Sequence, residues 1–139
     1  MQSGDIGTYF FYGTLIDPDI RAAVLGRAAA DLLAIDDTLK GWRAVLVSGK
    51  TYPVIVPSAP DEVRGVRVGI AGPSARRRLS HFEGPEYRVT TLVLGSGEEA
   101  EVFIGSKLSR PGVQRWDFQA WERRDKARFL ARIRSAGRA

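Results

Sequence analysis

Up to about residue 105, apolar residues come in runs of strand length, and glycine or proline interrupts nearly every one. Thr8-Tyr9-Phe10-Phe11-Tyr12 is aromatic and β-prone, and Gly13 ends it. Tyr52 to Val56 is a continuous apolar run, too short for a helix and suited to a strand buried on both faces. Val66, Val68 and Ile70 alternate with Arg67 and Gly69, the period-two pattern of a half-exposed strand. Tyr87 to Leu94 and Ala100 to Ile104 flank Gly95-Ser96-Gly97, which predicts a hairpin. Leu32 to Val47 supplies one or two more strands, with a turn near Lys40-Gly41.

Only two helices are set among these strands. Asp17-Pro18-Asp19 carries a capping carboxylate and a first-turn proline, predicting a short helix from Ile20 to Leu25 that stops at Gly26. Pro73 opens a second helix, which should end at Gly84. About five or six short strands with so few helices predict an α+β fold: a small barrel or curled sheet, whose closure hides the strand edges.

The tail differs in kind. Phe118, Trp121, Phe129 and Ile133 fall on one arc of a helix, with Arg123, Lys126 and Arg134 on other faces. We therefore expect residues 1–109 to form the barrel and residues 110–139 a basic amphipathic helix packed on the same domain. A membrane surface or acidic partner is the competing reading for such a helix, but Asp125 interrupts the stripe.

Composition narrows the chemistry. The chain has 139 residues, a length for one domain, and no cysteine, so disulfides and thiolate nucleophiles are excluded. His81 is the one histidine, which makes a histidine-based metal site unexpected. No apolar run is long enough for a membrane span, and the first residues lack a basic and apolar leader pattern, so a cytoplasmic location is expected. The net charge of +5 is concentrated in the tail: nine basic and three acidic residues lie from Arg110 onward, against 12 and 13 before it. A basic body would have pointed to nucleic acid; this distribution points to neither nucleic acid nor membrane as partner.

Two stretches could carry chemistry. Tyr12-Gly13-Thr14-Leu15 leaves the first strand, and unpaired N–H groups there would cradle a carboxylate. Taken alone it reads as an ordinary turn. In His81-Phe82-Glu83-Gly84-Pro85-Glu86-Tyr87, a carboxylate sits beside a bulky apolar residue at a helix end. Burial disfavours its charged form and tunes it toward acid–base work; an exposed turn glutamate is the other reading. Glu86 is expected to be solvated, and His81 to lie on the surface.

In combination the motifs say more. Phe-Tyr-Gly-Thr-Leu at 11–15, Tyr-Pro with apolar residues at 52–56, Val-x-Gly at 63–65 and Phe-Glu-Gly-x-x-Tyr at 82–87 follow one another in an order that resembles the gamma-glutamylcyclotransferase-like family, over about residues 8–105. The resemblance implies a small mixed β-barrel flanked by helices, with a cavity at one end. It implies an enzyme that cyclises a γ-glutamyl group to 5-oxoproline and releases the attached amine, without metal or organic cofactor. Glu83 matches the acid/base glutamate; Tyr12, Gly13, Thr14 and Leu15 match the loop that binds the glutamyl end; Tyr87 matches a motif tyrosine near that site. The chain departs from many relatives at Ser80, where they carry a carboxylate, and at Arg88, which directly follows the motif tyrosine. A non-catalytic binding module of the same fold is the alternative function. The leaving amine is left open, as is a homodimer built on the tail helix.

Overall fold

The aromatic run becomes the strand around which the molecule is built. In the computed structural model, which describes residues 6–26 and 32–136, β1 spans Ile6–Phe11. It pairs antiparallel with β3 (Pro53–Ala71) on one side and parallel with β5 (Glu99–Gly105) on the other. Beyond these, β4 (Tyr87–Val93) adds to β5, β2 (Ala34–Val47) to β3, and β6 (Pro111–Arg115) to β2, all antiparallel. The result is a mixed, curled six-stranded sheet in the order β4-β5-β1-β3-β2-β6. The first five residues, on which the expectation of no leader partly rests, lie outside the described residues, as do the last three.

Both faces of β1 are covered along Tyr9-Phe10-Phe11, which explains the consecutive aromatic residues there. Successive side chains point to opposite faces. Tyr9 and Phe11 join Val66, Val68 and Ile70 beneath the helices, while Phe10 packs with Leu39, Ile55, Val63 and Val102 inside the curl. Helix α1 (Pro18–Leu25) begins as expected: Asp17 accepts from the N–H groups of Asp19 at 2.8 Å and Ile20 at 3.2 Å. Helix α2 (Pro73–Glu83) runs to Gly84, whose φ of 77° ends it.

Three features differ from the sequence reading. Gly41, with φ of 89°, does not turn the chain but shifts the β2–β3 register between Lys40 and Trp42, as a bulge does. The reversal falls at residues 48–52 instead, where Lys50 N–H donates to the Val47 carbonyl. In consequence, the two strands expected at 52–56 and 66–70 are halves of the single strand β3. Gly65 lies midway along it because a Cβ there would collide with the carbonyl oxygen of Phe11 on β1.

The sheet curls without its end strands pairing. Its closing contact is the β4–β5 turn against β2: Gly95 N–H donates to the Thr38 carbonyl at 2.8 Å, and Ser96 donates to Asp37 through backbone and hydroxyl. Arg67 Nε meets the same carboxylate at 2.9 Å.

The tail is not one helix. Residues 111–115 form β6, and the helical part divides into α3 (Phe118–Arg124) and α4 (Lys126–Ala136) at Asp125. Its aromatic stripe faces the domain, with Trp121 buried beside Trp116, Phe118 and Phe129. No helix among the described residues is long and apolar enough to cross a membrane.

Candidate active site

A cavity of about 270 Å³ opens where β1 ends, and the residues matched to the family's catalytic and binding positions line it: Tyr12, Gly13, Thr14, Leu15, Glu83 and Tyr87. Two separate chain segments meet there. The loop leaving β1 lies against Pro53, the first residue of β3. α2, which follows β3, returns its last residue, Glu83, to the same place.

The loop forms a single 3₁₀ turn at Thr14–Ile16. Its carbonyls are all occupied. Ile16 N–H donates to Gly13, Asp17 N–H donates to Thr14, and Arg21 Nη1 donates to the carbonyls of Leu15 at 2.9 Å and Ile16 at 2.8 Å. No described hydrogen bond engages the N–H groups of Gly13, Thr14 or Leu15, as expected at the start of a helical turn. These donors suit an anion. A Cβ on Gly13 would come within 2.9 Å of Pro53 Cγ, so the close approach of β3 is what requires glycine.

Glu83 is the last residue of α2, held there because Gly84 N–H donates to the Ser80 carbonyl at 3.0 Å. No hydrogen bond or ion pair within the described residues engages its carboxylate. Desolvation alone pushes its pKa up to about 8, from an ordinary value of 4.5. Around it, Tyr12 donates its hydroxyl to the Phe103 carbonyl at 2.6 Å, and Tyr87 donates to the Pro53 carbonyl. Burial, with the neighbouring Glu83 charge, holds both phenols well above their usual range, so both remain neutral hydroxyls.

Glu86 is not solvated as expected. It lines the cavity half-buried, and Tyr52 donates its hydroxyl to it at 2.9 Å; burial, and then this bond, push the Tyr52 phenol up to about 12. The Tyr-Pro motif at 52–53 was the sequence signal for this side of the site. Phe129, which also lines the cavity, carried a signal only for packing. Ser80, His81 and Arg88 are exposed and do not line it. Among the described residues no group of three or more His, Cys, Asp or Glu is placed to hold a metal ion.

The curled mixed sheet thus brings a half-buried glutamate and a glycine-bearing turn to the lining of one cavity. Residues 9–123 match the family described as "Gamma-glutamyl cyclotransferase, AIG2-like", and the chain belongs to it. The match runs past residue 105 to include β6 and α3, while α4 lies beyond it. AIG2-like protein A of Arabidopsis thaliana is 30% identical over 128 residues, covering 87% of this chain and 75% of that protein. A solution structure from Arabidopsis thaliana superimposes with a TM-score of 0.68 and 25% identity, covering 95% of this chain and 91% of the other. A solved gamma-glutamyl cyclotransferase shares the fold, with a TM-score of 0.59 and 17% identity, covering 93% of this chain and 86% of that one.

Proposed function

We propose that the chain cyclises the γ-glutamyl group of a small cytoplasmic metabolite to 5-oxoproline, releasing the attached amine. The observation that carries this reading is the desolvated carboxyl of Glu83, with a pKa of about 8, in one cavity with the unpaired amides of residues 13–15. The amides hold the substrate's α-carboxylate, which folds its α-amine toward its own γ-carbonyl. Such orientation can contribute about 7–11 kcal/mol in a well-aligned intramolecular reaction.

The α-ammonium is unreactive until it loses a proton. Ionised Glu83 takes that proton, and the free nitrogen attacks the γ-carbonyl carbon, closing a five-membered ring. An N–H of the same turn stabilises the charge that develops on the carbonyl oxygen. As the C–N bond to the leaving group breaks, Glu83 delivers its proton to the departing nitrogen, and its ionised carboxylate then takes the second proton from the ring nitrogen, leaving a neutral lactam. A carboxyl with a pKa near the working pH can both accept and return a proton, which an ordinary glutamate near 4.5 does poorly. Tyr12 and Tyr87 wall the site as neutral hydroxyls, and every step proceeds by proton transfer and backbone dipoles. Catalysis thus needs neither a metal nor an organic cofactor.

A panel of γ-glutamyl amides and peptides, scored for 5-oxoproline, tests the proposal. Release by the wild-type protein and its loss in Glu83→Gln are expected. Ligand occupancy with no turnover of any substrate would leave a binding module instead.

A further inference from the structure

We propose that Phe129, on the helix beyond the family match, is a specificity-determining residue: with Phe82 it forms the apolar wall against which the non-glutamyl part of the substrate lies. This rests on the γ-glutamyl reading of the cavity.

Phe129 lines the cavity although it follows α3 by several residues in a separate helix. Its ring meets Phe82 edge-on, with centroids 6.1 Å apart and planes at 88°, and meets Trp121 at 5.6 Å and 77°. Phe82 immediately precedes Glu83, so the wall adjoins the carboxyl that must protonate the departing nitrogen. α4 is also fastened to the carboxylate cradle. Lys126 Nζ pairs with Asp17 at 2.8 Å and Asp19 at 2.7 Å, and Asp17 directly follows the 3₁₀ turn. The wall and the cradle are therefore held in fixed relation.

The division of the cavity follows from what each part can satisfy. The glutamyl end carries an α-carboxylate and an α-amine, which need hydrogen-bonding partners, and the two phenyl rings supply none. That end belongs to the turn and Glu83. The substituent on the departing nitrogen is then received by the ring pair, and an apolar, planar group gains most from such a surface. Glu86 and Tyr52, which also line the cavity, are polar and would suit an ammonium group instead.

Calorimetric titration separates these cases. In Glu83→Gln protein, which holds substrate without turning it over, γ-glutamylbenzylamide should bind about tenfold or more tightly than γ-glutamylmethylamide. Phe129→Ala added to Glu83→Gln should reduce that preference about tenfold. Phe129→Leu, which keeps an apolar side chain for the packing of α4, should also reduce it. A preference for benzyl that survives both substitutions would overturn the assignment and leave the cyclisation reading standing. So would tighter binding of an ω-aminopentylamide, which would place the substituent at Glu86. Failure of every amide to bind would overturn both.

Discussion

Replacing Glu83 with Gln should alter how stability depends on pH, apart from any effect on turnover. The folded-state pKa of about 8 lies about 3.5 pH units above the ordinary 4.5. Below pH 4.5 the carboxyl is protonated whether the chain is folded or not. Between 4.5 and 8 the unfolded chain ionises there while the native protein keeps its proton, so the native state binds more protons and stability falls as pH rises. Above 8 both states are ionised and the loss levels off. At about 1.36 kcal/mol per pH unit the full loss has an upper bound of about 5 kcal/mol, and solvent entering the open cavity reduces it to about 2–5 kcal/mol. Gln fills the same space with no ionisable group, so its own desolvation cost is the same at every pH. Urea unfolding at pH 5, 6, 7, 8 and 9 should show the stability difference, variant minus wild type, rising by about 2–5 kcal/mol and levelling off near pH 8. Parallel curves would refute the reasoning, because a solvated Glu83 contributes no such slope.

Two further perturbations probe the surroundings. Gly13→Val forces a side chain into Pro53 and should displace the turn, weakening 5-oxoproline binding about tenfold or more by calorimetry; an unaltered affinity would show that the turn is not the cradle. Burial alone would raise the Asp37 carboxyl, but hydrogen bonds from Ser96 and Thr38, and Arg67 beside it, hold it below the usual range. Its contribution is therefore present above the ordinary carboxylate pKa and lost as pH falls through the depressed value. Asp37→Asn should cost about 1–3 kcal/mol at neutral pH and flatten the acid limb of the thermal-melting profile.

Strands and helices were legible wherever a local signal was self-sufficient. Asp17-Pro18 caps α1 through its own neighbours, and Gly84 ends α2 because its positive φ is cheap only for glycine. Glycine misled where its meaning depends on a partner strand. Gly41 has the positive φ of a turn, but β3 pairs on both sides of it and makes a bulge of it. Residues 111–115, with Val113 fully solvated and no alternation to read, became β6 only because the edge of β2 was there to pair with.

Sequence by itself determined the chemistry available to this protein: one histidine and no cysteine, glycine where β1 ends, and a glutamate followed by Gly-Pro. It also determined the order of motifs from which their common site was expected. Tertiary structure decided what those groups became. The pKa of Glu83 rises toward neutral pH only because folding removes the carboxyl from water, and Glu86, three residues on, meets the phenol of Tyr52, just before β3, instead of solvent. Phe129 reaches the same cavity through the fastening of α4 to α1 by Lys126. Desolvation and long-range contacts of this kind depend on residues far apart in the chain, and no local pattern encodes them.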